Sequence, residues 1–226
     1  DTPLGIAHFL EHKMFENEDK TDTFELFAKT GASANAFTDF EKTAYLFSGA
    51  GYLEENLKIL LNFVTHPYFT EETVKKEQGI IAQEIKMYED DPGWQLYMNA
   101  LDCMYKDNPI KIDIAGTVES ISKITPEILY KCYNTFYNPA NMTMVVCGDF
   151  EPEKLLEEIK RRLVKRESQG EIKRIYPKAE NEINMPYKEK KMEVSTPAFV
   201  IGYKDMQNID YSAKTATKRH IAIEIL

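Results

Sequence analysis

His8, Glu11 and His12 stand in the order His-x-x-Glu-His within the segment GIAHFLEHKMFE. Side chains four residues apart on a helix project from one face, so two imidazoles at this spacing can reach a single ion. The order is the inverse of the commoner His-Glu-x-x-His and is a metallohydrolase motif in its own right. A catalytic zinc takes three protein ligands and keeps a fourth position open, so a two-histidine helix requires one more donor from elsewhere. Glu77 and Glu84, seven residues apart in a second helical stretch, share a face and could both look toward the histidines. A single histidine is ordinarily a packed or surface residue, and a glutamate pair on a helix is ordinarily solvated. Two of the chain's four histidines fall in this pattern with carboxylates downstream, which favours a metal site. His66 and His220 show no such pattern and read as ordinary residues.

The elements that must carry these groups are marked by breakers and periodicity. Thr2 and Pro3 suit the N-cap and first position of a helix whose unbroken stretch, residues 6–15, holds the motif. A second helix is expected over 23–29, stopped by Gly31, and residues 32–48 have the aromatic and threonine content of strands, with Phe37, Tyr45 and Phe47 among them. Helical spacing recurs over 53–66, ended by Pro67, and again after a Thr70 cap to a stop before Pro92; Glu77 and Glu84 lie on this second run. Further helices are expected over 94–105, 126–136 and from Pro152, with strands over 142–146 and 192–203. Residues 167–191, rich in Lys, Glu, Gly, Asn and Pro without periodicity, have the composition of a linker. The expected plan is an α+β protein: a catalytic domain over 1–166, the linker, and the truncated start of a second domain over 192–226.

The formal charge of -9 argues against DNA, RNA or an anionic membrane surface as partner, because each requires a basic face. The longest apolar candidate, around Ile59 to Val64, is interrupted by Asn62 and is far short of the roughly 20 residues that span a bilayer. Cys103, Cys132 and Cys147 lie far apart among apolar or aromatic neighbours and read as buried free thiols, which fits a reducing cytoplasm. The opening Asp1-Thr2-Pro3 has neither an initiator methionine nor a basic leader, so the sequence is expected to begin inside a longer protein.

The segments GIAHFLEHKMFE, GASANAFT, KKEQGIIAQEIKMYEDDP, AGTVES and FYNPANMTMVVCGDF follow one another over residues 5–153. In wording and order they resemble the insulinase/pitrilysin family of metallopeptidases, and within it the bacterial members associated with the 5-aminopentanol modification of elongation factor P. The resemblance implies a two-layer α+β domain, a mostly antiparallel sheet packed against helices, of the kind shared with LuxS and the processing peptidases. It implies Zn2+ held by His8, His12 and Glu84, with Glu11 as general base on a zinc-activated water. Glu77 would be a supporting acid, its carboxylate taking the free ring N–H of a ligating histidine. Asn35 and Ala36 match the family's edge strand, which pairs with an extended substrate backbone.

The implied reaction is hydrolysis of peptides or unfolded segments enclosed between two homologous halves, one of which can come from a partner subunit or a dimer. Family members carry strands before the metal helix and a second domain, so low activity is expected of the 226 residues alone. The rival reading is a non-catalytic subunit that serves as a binding or scaffold partner; such subunits lose the zinc motif, whereas His8, Glu11, His12, Glu77 and Glu84 are all present. An electron-transfer role would require cysteine or histidine clusters that the sequence lacks.

Overall fold

The computed structural model describes residues 2–163, 172–173, 175, 177–178 and 180–204. Its elements in chain order are α1 (Ile6–Met14), α2 (Thr23–Ala28), β1 (Ser33–Thr38), β2 (Thr43–Ser48), α3 (Leu53–Thr65), α4 (Glu71–Asp90), α5 (Pro92–Met104), α6 (Val118–Ile121), α7 (Pro126–Phe136) and α8 (Pro152–Arg162). The architecture is α+β, with helices and a two-stranded antiparallel sheet. Among the described residues, no helix is long and apolar enough to cross a membrane.

Local chemistry sets most of the helix starts. Asp22 accepts from the Phe24 N–H at 2.8 Å to open α2, and Asp91 accepts from the Trp94 N–H at 2.7 Å to open α5 behind Pro92. Thr70 Oγ1 accepts from the Thr73 N–H at 3.2 Å ahead of α4, and Thr125 caps α7 with Pro126 in the first turn. The start of α1 differs from the expected Thr2–Pro3 cap. Its N-cap is Gly5 in the left-handed conformation, φ 85°, without a side-chain cap. The cause is close packing: a Cβ on Gly5 would lie 2.3 Å from the Ala115 carbonyl oxygen, and one on Gly116 would lie 2.6 Å from that of Leu4. The turn before the motif helix is thereby clasped to the AGTVES segment, and Ser120 Oγ adds a hydrogen bond to Leu4 O at 2.9 Å.

The core joins Phe9, Leu10 and Met14 of α1 to Phe63 of α3, Ile81 and Ile85 of α4, and Leu129 and Tyr133 of α7. Burying an apolar side chain of this size contributes about 1.5–3 kcal/mol, so the core fixes the rotation of α1 and α4 about their axes. On α4 the buried positions Val74, Ile81 and Ile85 leave the neighbouring stripe, with Glu77 and Glu84, beside α1. Lys13 is fully buried on α1, its ammonium paired with Glu16.

Strands β1 and β2 pair in register from Ser33↔Ser48 to Thr38↔Thr43. On β1, exposed Ser33, Asn35 and Phe37 alternate with half-buried Ala34, Ala36 and Thr38. The strands expected over 142–146 and 192–203 do not form: both stretches lack regular structure, and Val145 and Phe199 are 86% and 81% exposed. A strand exists through the hydrogen bonds of a neighbour, and no strand lies beside either stretch among the described residues. The same exposure corrects the thiols: Cys132 is buried as expected, but Cys103 is half-buried and Cys147 exposed.

Two compact units result, Asp1–Glu89 with Ile112–Arg174, and Asp90–Lys111 with Ile175–Leu226. The first holds all the residues singled out for chemistry. In the second, the Asn184 and Met185 N–H groups donate to Cys103 O at 2.8 and 3.0 Å, and Glu180 accepts from the Lys106 and Asp107 N–H groups at 2.7 and 2.9 Å. His66 hydrogen-bonds the Asn62 carbonyl at the end of α3, an ordinary structural role, and His220 lies outside the described residues.

Candidate metal centre

The i, i+4 spacing on α1 brings the His8 and His12 rings to a centroid distance of 4.6 Å. Glu84 of α4 faces both: its Oε1 lies 3.6 Å from His8 Nε2, and its Oε2 lies 3.6 Å from His12 Nε2. These separations are too long for hydrogen bonds. Two ligands each about 2.1 Å from a tetrahedral ion stand about 3.4 Å apart, so the spacing is that of atoms sharing a metal. One donor atom from each of His8, His12 and Glu84 lies within 4.8 Å of the others.

Glu77 meets a different atom. Its Oε1 is 3.0 Å from His12 Nδ1, and since a carboxylate only accepts, that nitrogen carries the hydrogen. The Nε2 lone pair of His12 is then directed toward Glu84, which is the tautomer a metal ligand needs. His8 Nδ1 is buried and has no hydrogen-bond partner among the described residues, so the Nδ1–H that ligation through Nε2 requires would go unpaired there.

Electrostatics fit a cation at this point. Burial first, then the charge of His12, lowers the pKa of His8, although Glu84, Glu11 and Asp113 pull it upward. For His12 burial also acts downward, but the Glu77 hydrogen bond and the charges of Glu77, Glu84 and Glu11 outweigh it, and its pKa is raised. The carboxylates of Glu11, Glu77 and Glu84 therefore surround two imidazoles, an excess of negative charge that a divalent cation offsets. A two-nitrogen, one-oxygen donor set suits zinc, and the residues present fit such an ion.

Glu11, 7% exposed, lies one position before His12 on α1, and its Oε2 accepts from Thr38 Oγ1 at 2.6 Å. Asn35 and Ala36 lie on β1, paired with Leu46 and Tyr45, and the second edge of β1 has no strand beside it among the described residues. The structure thus brings His8, Glu11, His12, Glu77 and Glu84 together, with β1 alongside. Sequence reasoning missed Thr38 and Tyr88. Burial, then the charge and hydrogen bond of Glu84, raises the pKa of Tyr88. Tyr88 follows Glu84 by four residues, a helical spacing that could have revealed it. Thr38 shares the inward face of β1 with Ala36, a period-two relation that likewise could have done so.

A half-buried His-x-x-Glu-His helix facing a carboxylate from a second helix is an arrangement found in mononuclear metallohydrolases. The family model of the insulinase peptidases (peptidase family M16) matches residues 1–118, and that of the M16 inactive domain matches residues 123–217. The chain belongs to the M16 insulinase family. It is 48% identical over 226 residues to a protein of Bacillus subtilis named uncharacterized zinc protease YmfH, covering 99% of this chain and 52% of that relative. Among solved structures it is similar to an M16-like peptidase of Alicyclobacillus acidocaldarius, with a TM-score of 0.76 and 45% identity over 82% of this chain and 44% of that one. The periplasmic protease PqqL of Escherichia coli gives a TM-score of 0.67 at 28% identity, over 79% of this chain and 21% of that one. Pitrilysin, at 19% identity and a TM-score of 0.62, over 78% of this chain and 20% of that one, shares the fold. The chain spans about half the length of the YmfH relative.

Proposed function

We propose that this chain supplies the zinc centre of a metalloendopeptidase that hydrolyses peptides or unfolded protein segments. The observation that carries the reading is the placement of both Glu84 oxygens 3.6 Å from the two histidine Nε2 atoms, with Glu11 on the same helix. His8, His12 and Glu84 would hold the ion, and Glu77 would fix the ring of His12 through Nδ1. Zinc, when bound, supplies Lewis acidity that lowers the pKa of water to about 7 and polarises a carbonyl. Glu11 takes the proton of the attacking water and later delivers it to the leaving amine. Asn35 and Ala36 would line the β1 edge along which an extended substrate backbone adds as a strand.

The finer assignments are proposals of the same kind. Residues 1–166 form the catalytic domain, 167–191 a linker, and 192–226 the start of a second homologous domain. A homologous half, from the same chain or a partner subunit, closes the substrate chamber. The protein acts in the cytoplasm and is of the type associated with 5-aminopentanol modification of elongation factor P. The match to two M16 models in succession supports a second homologous domain, the resemblance of the motifs supports the subtype, and the free cysteines support the cytoplasm.

The test uses a fluorogenic peptide and metal analysis on the full-length protein. His8→Ala and His12→Ala are expected to lose zinc and hydrolysis together, whereas Glu11→Gln keeps zinc and loses hydrolysis, because glutamine cannot accept the proton. Equal zinc loss in all three variants would remove Glu11 from the base role. A zinc-loaded wild type that cleaves nothing would favour the scaffold reading.

A further inference from the structure

Glu11 is held by one side chain from the sheet. Thr38 Oγ1 donates to Glu11 Oε2 at 2.6 Å, a distance typical of a hydroxyl bonded to a charged oxygen. Thr38 has a single hydroxyl hydrogen, which goes to the carboxylate, so in its 3.1 Å contact with Thr43 Oγ1 the donor is Thr43. The contact is a consequence of register, for Thr38 and Thr43 are the last directly opposed pair of β1 and β2. Thr43 is joined in turn to Tyr137, whose hydroxyl lies 2.7 Å from that of Tyr45. A row of hydroxyls therefore runs from the half-buried tyrosine pair to the carboxylate of α1.

We propose that Thr38, anchored by Thr43, is a positioning residue for the general base, holding one oxygen of Glu11 so that the other faces the reacting water. This rests on the reading of Glu11 as the base. A free glutamate side chain samples several rotamers, and a misaligned base loses rate even when substrate and metal are bound normally. Residues 33–38 would then serve twice: the backbone edge at Asn35 and Ala36 for substrate, and the inward-facing Thr38 hydroxyl for the base.

The experiment compares Thr38→Val, Thr38→Ser, Thr43→Val and Glu11→Gln in the full-length zinc-loaded protein, measuring kcat, KM, zinc content and melting temperature. Valine keeps the shape of threonine and removes the hydroxyl; serine keeps the hydroxyl. Thr38→Val should lower kcat about 10- to 100-fold, the value of one hydrogen bond to a charged group, with KM and zinc content unchanged. Thr38→Ser should recover most of that loss, and Thr43→Val should give a smaller fall in kcat alone. Unchanged kcat in Thr38→Val while Glu11→Gln is inactive overturns the positioning role and leaves the base intact. Full activity in Glu11→Gln overturns both. If Thr38→Val fails to fold or loses zinc, Thr38→Ser and Thr43→Val decide: a fall in kcat for Thr43→Val beside near-normal Thr38→Ser supports the role, and normal kcat in both overturns it.

Discussion

Glu77 and Glu84 are chemically identical, lie two turns apart on one helix, and make different contacts. Glu84 stands at ion-sharing distance from both histidines, while Glu77 stands at hydrogen-bonding distance from His12 Nδ1. The spacing in the sequence showed that both faced the same way, but not which would reach the shared point, because that depends on the packing of Ile81 and Ile85 that sets the rotation of α4. The two should separate in a chelator-competition titration. Glu77→Ala should weaken zinc binding about 10- to 100-fold, the usual effect of losing the carboxylate behind a ligating histidine. Glu84→Ala, which removes a ligand, should abolish stoichiometric binding under the same conditions. Equal weakening by the two substitutions would contradict the division of roles.

At the scale of elements, the sequence was legible where local chemistry decides and silent where tertiary contact decides. The Thr70 cap of α4 was legible because capping is a contact between near neighbours, and Asp22, Asp91 and Thr125, which were not singled out, cap in the same way. The left-handed Gly5 was hidden, since its reason is the carbonyl of Ala115, more than a hundred residues away along the chain. The apolar runs at 142–146 and 192–203 carry strand-like composition without a neighbouring strand among the described residues, and composition cannot report a partner. The tyrosine pair that ties β2 to α7 was equally invisible and has a consequence with pH. Burial chiefly pushes the Tyr137 hydroxyl from 10.0 to about 12, and burial with Tyr137 beside it raises Tyr45 well above the usual value. Below pH 10.0 folded and unfolded chains both hold the Tyr137 proton, so stability is intact; from there to about 12 only the unfolded chain releases it, and stability falls. The loss from Tyr137 amounts to about 3 kcal/mol, given about 1.4 kcal/mol for each pKa unit. Denaturant unfolding as a function of pH should show this alkaline slope, and Tyr137→Phe should flatten it. An unchanged slope in that variant would sever the link between the pair and alkaline stability.

For the whole molecule, the chain combines a nearly complete donor set with about half the length of the YmfH relative. His8, Glu11, His12, Glu77 and Glu84 all come from one unit, on α1 and α4 held by a common core. The central claim is that His8, His12 and Glu84 share one zinc ion, and an anomalous-difference map at the zinc edge, from crystals of the full-length protein, tests it most directly. The account predicts a single peak in each copy of this chain, about 2.0–2.2 Å from His8 Nε2, His12 Nε2 and a Glu84 oxygen, with Glu77 bonded to His12 but not to the metal. A peak ligated by Glu77 in place of Glu84, or no peak between α1 and α4 in zinc-loaded crystals, would contradict it.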